Sequence, residues 1–439
     1  MKRKTALLLA ITCLLTGAVP ACKSGGETPS PPESSDTGET SQQSEVSVIN
    51  VAVDIGALGN DWVIQTLQSI PGYGTEFIAL TETIPNSGQE RDNTLTRLKT
   101  EIMAGKGPDV FLLCNENRSD IEYLLPFPQK AMKNHLLLPL DSYIENAEYM
   151  EWDKLLTVVM EAGHNEEGQQ ILPLTFTFKV SGVNTEYYTM DADMPMTWEE
   201  SLACDDAWVR YSAGLGSLSD TYGDFINLTD DTLRISEEDI VTWYRQRKEI
   251  QDAVKKGDYP EFTEYSDSFN YYVSKGINDE KFETAMNIGS FNMNWEHDPL
   301  GGEENYWLAP IYNTAGGITA TIDTFTAINR NTENPDLSFR ILDYLLAYNT
   351  QRGYLYGNLY GMPVHMDVGM DGSRGPGWSM NDWNREQYLA LREQINAVKF
   401  CTPVDGELEK IFSDYEATGN LEGSVHKHYV TALMMLAES

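Results

Sequence analysis

Residues 98–113 read LKTEIMAGKGPDVFLL, and this stretch decides the fold class. Leu98, Ile102 and Met103, with Leu95 before them, recur at helical spacing, so a helix is expected over Asp92–Met103. Gly105-Lys106-Gly107-Pro108 stops it, because glycine enters left-handed backbone cheaply and proline has no amide to continue the ladder. Asp109–Leu113 (DVFLL) is then short and almost wholly apolar, the pattern of a strand buried on both faces. Upstream, Val46–Asp54 (VSVINVAVD) reads as a first buried strand and Ile55–Asn60 as a glycine-containing loop. A helix is expected from Asp61 to Ile70, with Asn60 or Asp61 as its cap, and a second strand over Phe77–Leu80. Strand, helix, strand with tight turns is the mark of a parallel α/β sheet.

The same style returns downstream. Phe282–Ile288 leads into Gly289, Tyr306–Ile311 reads as a strand, and Thr319–Asn329 is β-branched and extended. Pro335–Tyr348 is an amphipathic helix carrying Leu337, Phe339, Ile341, Leu342, Leu345 and Leu346, and His426–Ala437 is a terminal one. No repeat of fixed period is present.

The beginning of the chain has a different character. Met1-Lys2-Arg3-Lys4 is followed by an apolar run from Ala6 to Val19 and then Pro20-Ala21-Cys22, the order of a secretory signal over residues 1–21. The run is shorter than the ~20 residues that span a bilayer. Cys22, directly after a small residue and before Lys23-Ser24-Gly25-Gly26, resembles a bacterial lipoprotein cleavage site, which implies a diacylglycerol thioether on Cys22 and attachment at the outer face of the cell membrane. Pro20 departs from the usual small residue of such sites. Residues 22–45, rich in Gly, Ser, Thr, Pro and Glu, read as a flexible tether.

The 439 residues carry 31 Lys+Arg against 67 Asp+Glu, a formal net charge of −36, and loss of residues 1–21 would take it to −39. A chain this acidic repels phosphate, which excludes nucleic acid and electrostatic adsorption to anionic lipid as partners. With 41% hydrophobic residues it can build a large core. Cys114, Cys204 and Cys401 are widely spaced and odd in number, which is neither a disulfide framework nor a zinc pattern; buried free thiols, or one bridge and one thiol, are the alternatives.

Five segments in order carry a family resemblance: 98–113; LLLPLDSYIENAEYM at 136–150; ILPLTFTFKVSGVNTEYY at 171–188 with MPMTWEESL at 194–202; FETAMNIGSFNMNW at 282–295; and AINRNTENPDLSFRILDYLLA at 327–347 with YGMPVH at 360–365. Together, behind a lipoprotein signal and tether, they resemble the family 1, carbohydrate-type extracellular solute-binding proteins of bacterial ABC importers. The resemblance implies an α/β, two-lobed, periplasmic-binding-protein-like fold with hinge strands. Lobe 1 would comprise 46–178 plus 325–398, and lobe 2 would comprise 179–324 plus 399–439. The hinges would run through Phe176–Ser181, Thr321–Phe325 and Val398–Thr402. It implies a monomer that binds a sugar or oligosaccharide and delivers it to separate permease subunits, without catalysis and without a cofactor.

A sugar presents hydroxyls and flat C–H faces, so aromatic plates flanked by amides and carboxylates are the residues to look for. The loops after the expected strands supply Asn60, Asp61 and Trp62, then Asn115 and Glu116, then Phe291, Asn292 and Trp295, and beside the second hinge Tyr312 and Asp323. Helix capping by Asn60 or Asp61 and core packing by Phe176 and Phe178 are the plainer readings of those residues. Trp378, Trp383, Tyr222 and Phe225 are further aromatics on loops. The sequence has no G-x-S-x-G, H-E-x-x-H or G-x-x-x-x-G-K-[ST]. His426 and His428, two apart, would point away from each other on a helix, so a metal pair is not expected. Among 67 acids, two carboxylates ~5–10 Å apart could still be found, so a secreted glycoside hydrolase is the rival class. A peptide or polyamine ligand is the other alternative.

Overall fold

A computed structural model describes residues 46–55, 60–115, 122–185, 189–190, 196–256, 286–288, 305–353, 355–356, 359, 361–368, 370 and 381–438. All of them belong to the unit Glu45–Ser439, and the expected signal at 1–21, the expected lipid site Cys22 and the expected tether at 22–45 lie outside the described residues.

Strand β1 (Ser47–Asp54) is buried continuously from Val51 to Asp54 because it has a neighbour on each side. β2 (Phe77–Thr83) and β3 (Val110–Cys114) both run parallel to it, with Ser47 opposite Phe77 and Val51 opposite Val110. Helices α1 (Asn60–Gln68) and α2 (Gly88–Met103) make the crossovers. α2 begins four residues before the expected start at Asp92, because the residue its first turn buries is Arg91, which no hydrophobic pattern reveals. Gly105 and Gly107 take positive φ (70° and 102°) in the turn that ends it.

Beyond β3 the sheet stops being parallel. β4 (Ile171–Asn184) and β7 (Ile318–Ile328) are long strands, and each changes partners halfway. The first half of β4 pairs antiparallel with β7 and with the short β8 (Met362–Pro363). Its second half pairs antiparallel with β5 (Met286–Ile288) and β6 (Tyr306–Pro310). The second half of β7, Thr324–Ile328, lies antiparallel to β3, and its first half, Ile318–Ile322, runs parallel to β9 (Ile395–Phe400). The backbone order is β6-β4-β7-β3-β1-β2. Pro173, which cannot donate to a ladder, is accommodated by a bulge between Thr324 and Phe325 opposite it.

Three buried clusters follow from this plan. The largest wraps the sheet from Ile49 to Phe400. The second unites α4 (Leu218–Tyr222), α5 (Glu237–Lys256), α8 (Pro403–Thr418) and α9 (Leu421–Glu438) through Phe225, Trp243, Leu408 and Val425. The third centres on Trp208 and Tyr211 of α3 (Ala207–Ala213). Two further helices, α6 (Pro335–Leu345) and α7 (Asp382–Arg392), are amphipathic. Asp343 of α6 is buried, and its carboxylate accepts the backbone amides of Glu148, Tyr149 and Met150 (2.7, 3.1 and 2.7 Å).

Candidate functional site

The two partner exchanges fall side by side. On β4 the change comes between Phe176 and Phe178, on β7 between Ile322 and Thr324. A buried polar seam occupies that place. The Asp323 carboxylate accepts the Thr177 hydroxyl at 3.3 Å. The Asp323 carbonyl accepts the Asn115 amide at 2.6 Å. The Asn115 side-chain Nδ2 donates to the Cys401 carbonyl at 2.9 Å, just past β9. Thr177 of the first expected hinge is thus bonded to Asp323 of the second, and Asn115 bridges Asp323 to Cys401 of the third, beside the ladder that pairs Thr321 and Ile322 with Lys399 and Phe400. A hinge needs only a few residues to absorb the change of φ and ψ.

Polar capacity is left over in this seam. Asn115 Oδ1 and Thr175 Oγ1 are buried without a hydrogen-bond partner among the described residues, and Thr175 pairs across the sheet with Thr324. A buried acceptor without a donor costs roughly 1–3 kcal/mol, so a ligand hydroxyl or water that reached it would be favoured. Gly361 closes one side. Its φ is +92°, and a Cβ there would stand 2.7 Å from Asp323 Oδ2 and 2.9 Å from Thr175 Cβ. Gly361→Ala is expected to cost about 1–3 kcal/mol from backbone strain alone, with the clash on Asp323 adding to it. A urea unfolding midpoint that does not move would contradict this close approach.

Of the sequence-expected site residues, the structure brings Asn115 and Asp323 together. Asn60 and Asp61 open α1. Trp62, on the same helix, is half-buried against the main core. Tyr312 is fully buried. Burial pushes its hydroxyl well above the ordinary tyrosine range, and the Cys204 thiol, remote from the seam in sequence, also acts on it. Glu116, Phe291, Asn292, Trp295 and Trp378 lie outside the described residues. Phe176 and Phe178 stack with each other (6.5 Å), and Phe178 stacks on Tyr388 of α7 (6.1 Å), so both serve the core. Trp383 meets Trp307 edge-on at 5.0 Å. Phe225 is buried beside Lys399. Cys114, Cys204 and Cys401 form no disulfide with one another, and burial raises Cys401 far above the reactive range. His426 meets Glu237 and His428 meets Glu407, on different sides of α9, and among the described residues no group of three His, Cys, Asp or Glu could hold a metal. No helix among them is long and apolar enough to cross a membrane.

Sequence reasoning missed Thr175, Thr177 and Gly361. A Thr-x-Thr within an otherwise apolar strand (Leu174-Thr175-Phe176-Thr177-Phe178) is the signal that could have found the first two.

No protein-family model matches the sequence, and no curated protein matches it. Solved structures do. An extracellular solute-binding protein of family 1 from Alicyclobacillus acidocaldarius is similar over 89% of this chain and 98% of its own, with a TM-score of 0.58 and 12% identity. A periplasmic oligogalacturonide binding protein from Yersinia enterocolitica is similar over 89% and 99%, with a TM-score of 0.56 and 16% identity. A de novo designed esterase, improved by directed evolution and rational design, is similar over 89% and 99%, with a TM-score of 0.57 and 18% identity. Likeness at these identities shows the fold. It is the α/β, two-lobed fold of periplasmic solute-binding proteins, with hinge strands between the lobes.

Proposed function

We propose that this chain is an extracellular solute-binding protein that captures a sugar or oligosaccharide between its lobes and delivers it to the permease subunits of an ABC transporter. The lobes are 46–178 plus 325–398 and 179–324 plus 399–439, and a lipid on Cys22 holds the protein to the outer face of the membrane through the tether at 22–45. It acts as a monomer, without catalysis. The observation that carries the reading is the polar seam at the double partner exchange, where Asn115, Thr177, Asp323 and Cys401 link the crossing segments. Closing two lobes about that seam would take a ligand out of water on both sides. The permease would then read the ligand through its different affinity for open and closed forms. The oligogalacturonide binding protein of the same fold supports the carbohydrate class. Asn60, Asp61, Trp62, Asn115, Glu116, Phe291, Asn292, Trp295, Tyr312 and Asp323 are the proposed ligand-binding residues.

A thermal-shift screen over mono- to tetrasaccharides tests this. The cognate sugar at 100 times its Kd should stabilise the fold by about 2.7 kcal/mol, a rise of a few degrees in Tm. Trp62→Ala and Trp295→Ala should each weaken that sugar several-fold while the apo melting curve stays cooperative. Unchanged affinity removes the residue concerned from the site. A peptide or polyamine producing the shift, with every saccharide silent, would overturn the ligand class.

A further inference from the structure

We propose that a cavity among α4, α5 and α8 is a second binding site, built for a small carboxylic acid with an apolar body. The cavity holds about 260 Å³. Phe225, Trp243, Tyr244 and Leu408 form buried walls, and Phe412, 38% exposed, stands at the rim. An exposed phenylalanine beside a cavity is an apolar surface that a ligand would cover.

Arg247 of α5 supplies the charged group. Its guanidinium lies over the Trp243 ring at 5.3 Å and the Phe412 ring at 5.8 Å, and its Nε donates to the Gly214 carbonyl at 2.9 Å. These contacts fix the plane of the fork and leave Nη1 and Nη2 without a hydrogen-bond partner among the described residues. Two other charged groups of the lining, half-buried Lys179 and buried Asp405, are satisfied within the protein. Lys179 pairs with Asp220 at 2.9 Å, and Asp405 is held by Lys399, Ser219 and Thr402. Glu409, exposed on α8, is the remaining acid of the lining and acts on Arg247 through its field. Burial depresses the Arg247 guanidinium below its ordinary value, the state that an arriving anion would relieve.

A planar guanidinium with two outward N–H pairs matches a carboxylate bidentately. The aromatic walls select against a fully hydrated anion and for an acid whose body is a ring or a branched chain. Its lining contains none of the seam residues Asn115, Thr177, Asp323 and Cys401, and it does not depend on the carbohydrate reading.

Phenylacetate and its neutral isostere phenylacetamide are suitable probes of the unaltered protein, followed by saturation-transfer NMR and calorimetry. Phenylacetate should bind in the millimolar range and the amide about ten-fold more weakly, the difference made by a charge-assisted bidentate pair. In Arg247→Met, whose stem can still pack between Trp243 and Phe412, the preference for the acid should vanish while far-UV dichroism and the melting curve match the parent. Equal binding of acid and amide by the parent protein overturns the proposal, as does absence of binding at about 20 mM phenylacetate, well above the millimolar affinity expected of one such pair. So does acid preference retained in a folded Arg247→Met.

Discussion

Asp54→Ala is expected to destabilise the protein by about 3–5 kcal/mol, the range for stripping one partner from a buried ion pair. Asp54 ends β1, and its carboxylate takes both Nη nitrogens of Arg91, at 2.9 and 2.7 Å, with the Arg91 and Asp54 side chains only 4% and 5% exposed. Burial works against the Arg91 charge, and the hydrogen bonds it donates to Asp54 help to more than offset it. Without Asp54, Arg91 retains the carbonyls of Glu122 and Pro85, which are dipoles and not a counter-charge. The effect should reach the proposed site as well. Asp54 precedes Asn60 and Trp62 in the chain and Glu122 follows Asn115, so one guanidinium joins described segments next to both. Urea unfolding reads the cost as a lowered midpoint. A double replacement, Asp54→Leu with Arg91→Leu, should recover much of it, because two matched apolar residues leave no charge buried. A loss below about 1 kcal/mol for Asp54→Ala would show that the pair is not closed to water as described.

Lys399→Met is expected to cost a similar amount, about 3–5 kcal/mol near neutral pH. Lys399 lies at the end of β9, and Asp405 sits in the first turn of α8, where it also accepts the Thr402 amide and hydroxyl at 2.8 Å each. The pair is almost wholly buried, with side chains 4% and 2% exposed. Burial alone would raise the Asp405 carboxyl, yet Lys399 holds it below its ordinary range. Burial alone would likewise lower Lys399, and Asp405 raises it. The signs fix the pH response. A depressed carboxyl contributes stability above its unfolded value, near about 3.9, and loses it as pH falls through its folded value. A raised ammonium contributes below about 10.4 and loses that as pH rises further, so the pair's contribution is flat between these limits. In Lys399→Met the Asp405 carboxyl titrates higher than in the parent, so the variant's deficit should shrink as pH is lowered from about 7 towards about 4. A deficit that is constant or grows over that interval would contradict the assignment of Asp405 as the buried anion.

β1 and β3 were legible because each is buried on both faces along much of its length and says so in its apolar run, while β2, the half-exposed edge strand, was legible only over its apolar start at Phe77–Leu80. α2 and α6 were legible because one face of each is apolar at helical spacing. What the sequence conceals is pairing at a distance. Nothing in Ile171–Asn184 or Ile318–Ile328 announces that either strand trades partners at its middle, since ladder partners are set by segments far away along the chain. The resemblance of five segments to a known family supplied that step. Buried polar groups were the other blind spot. Arg91, Lys399 and Asp405 read as surface charges, and only their pairing with buried partners takes them inside. Within the site, the end of β3 pointed to Asn115 and the extended run of β7 pointed to Asp323. Thr175, Thr177 and Gly361 stayed hidden because small polar residues inside strands look like any other β-branched or turn position.

Binding without turnover is the central claim for this protein, and native mass spectrometry of the protein incubated with an oligosaccharide library tests it most directly. The expected spectrum shows one chain carrying one intact saccharide, with the mass of every library member unchanged after overnight incubation. A library returned as shortened fragments, or a spectrum in which no saccharide is retained at millimolar concentration, would contradict it.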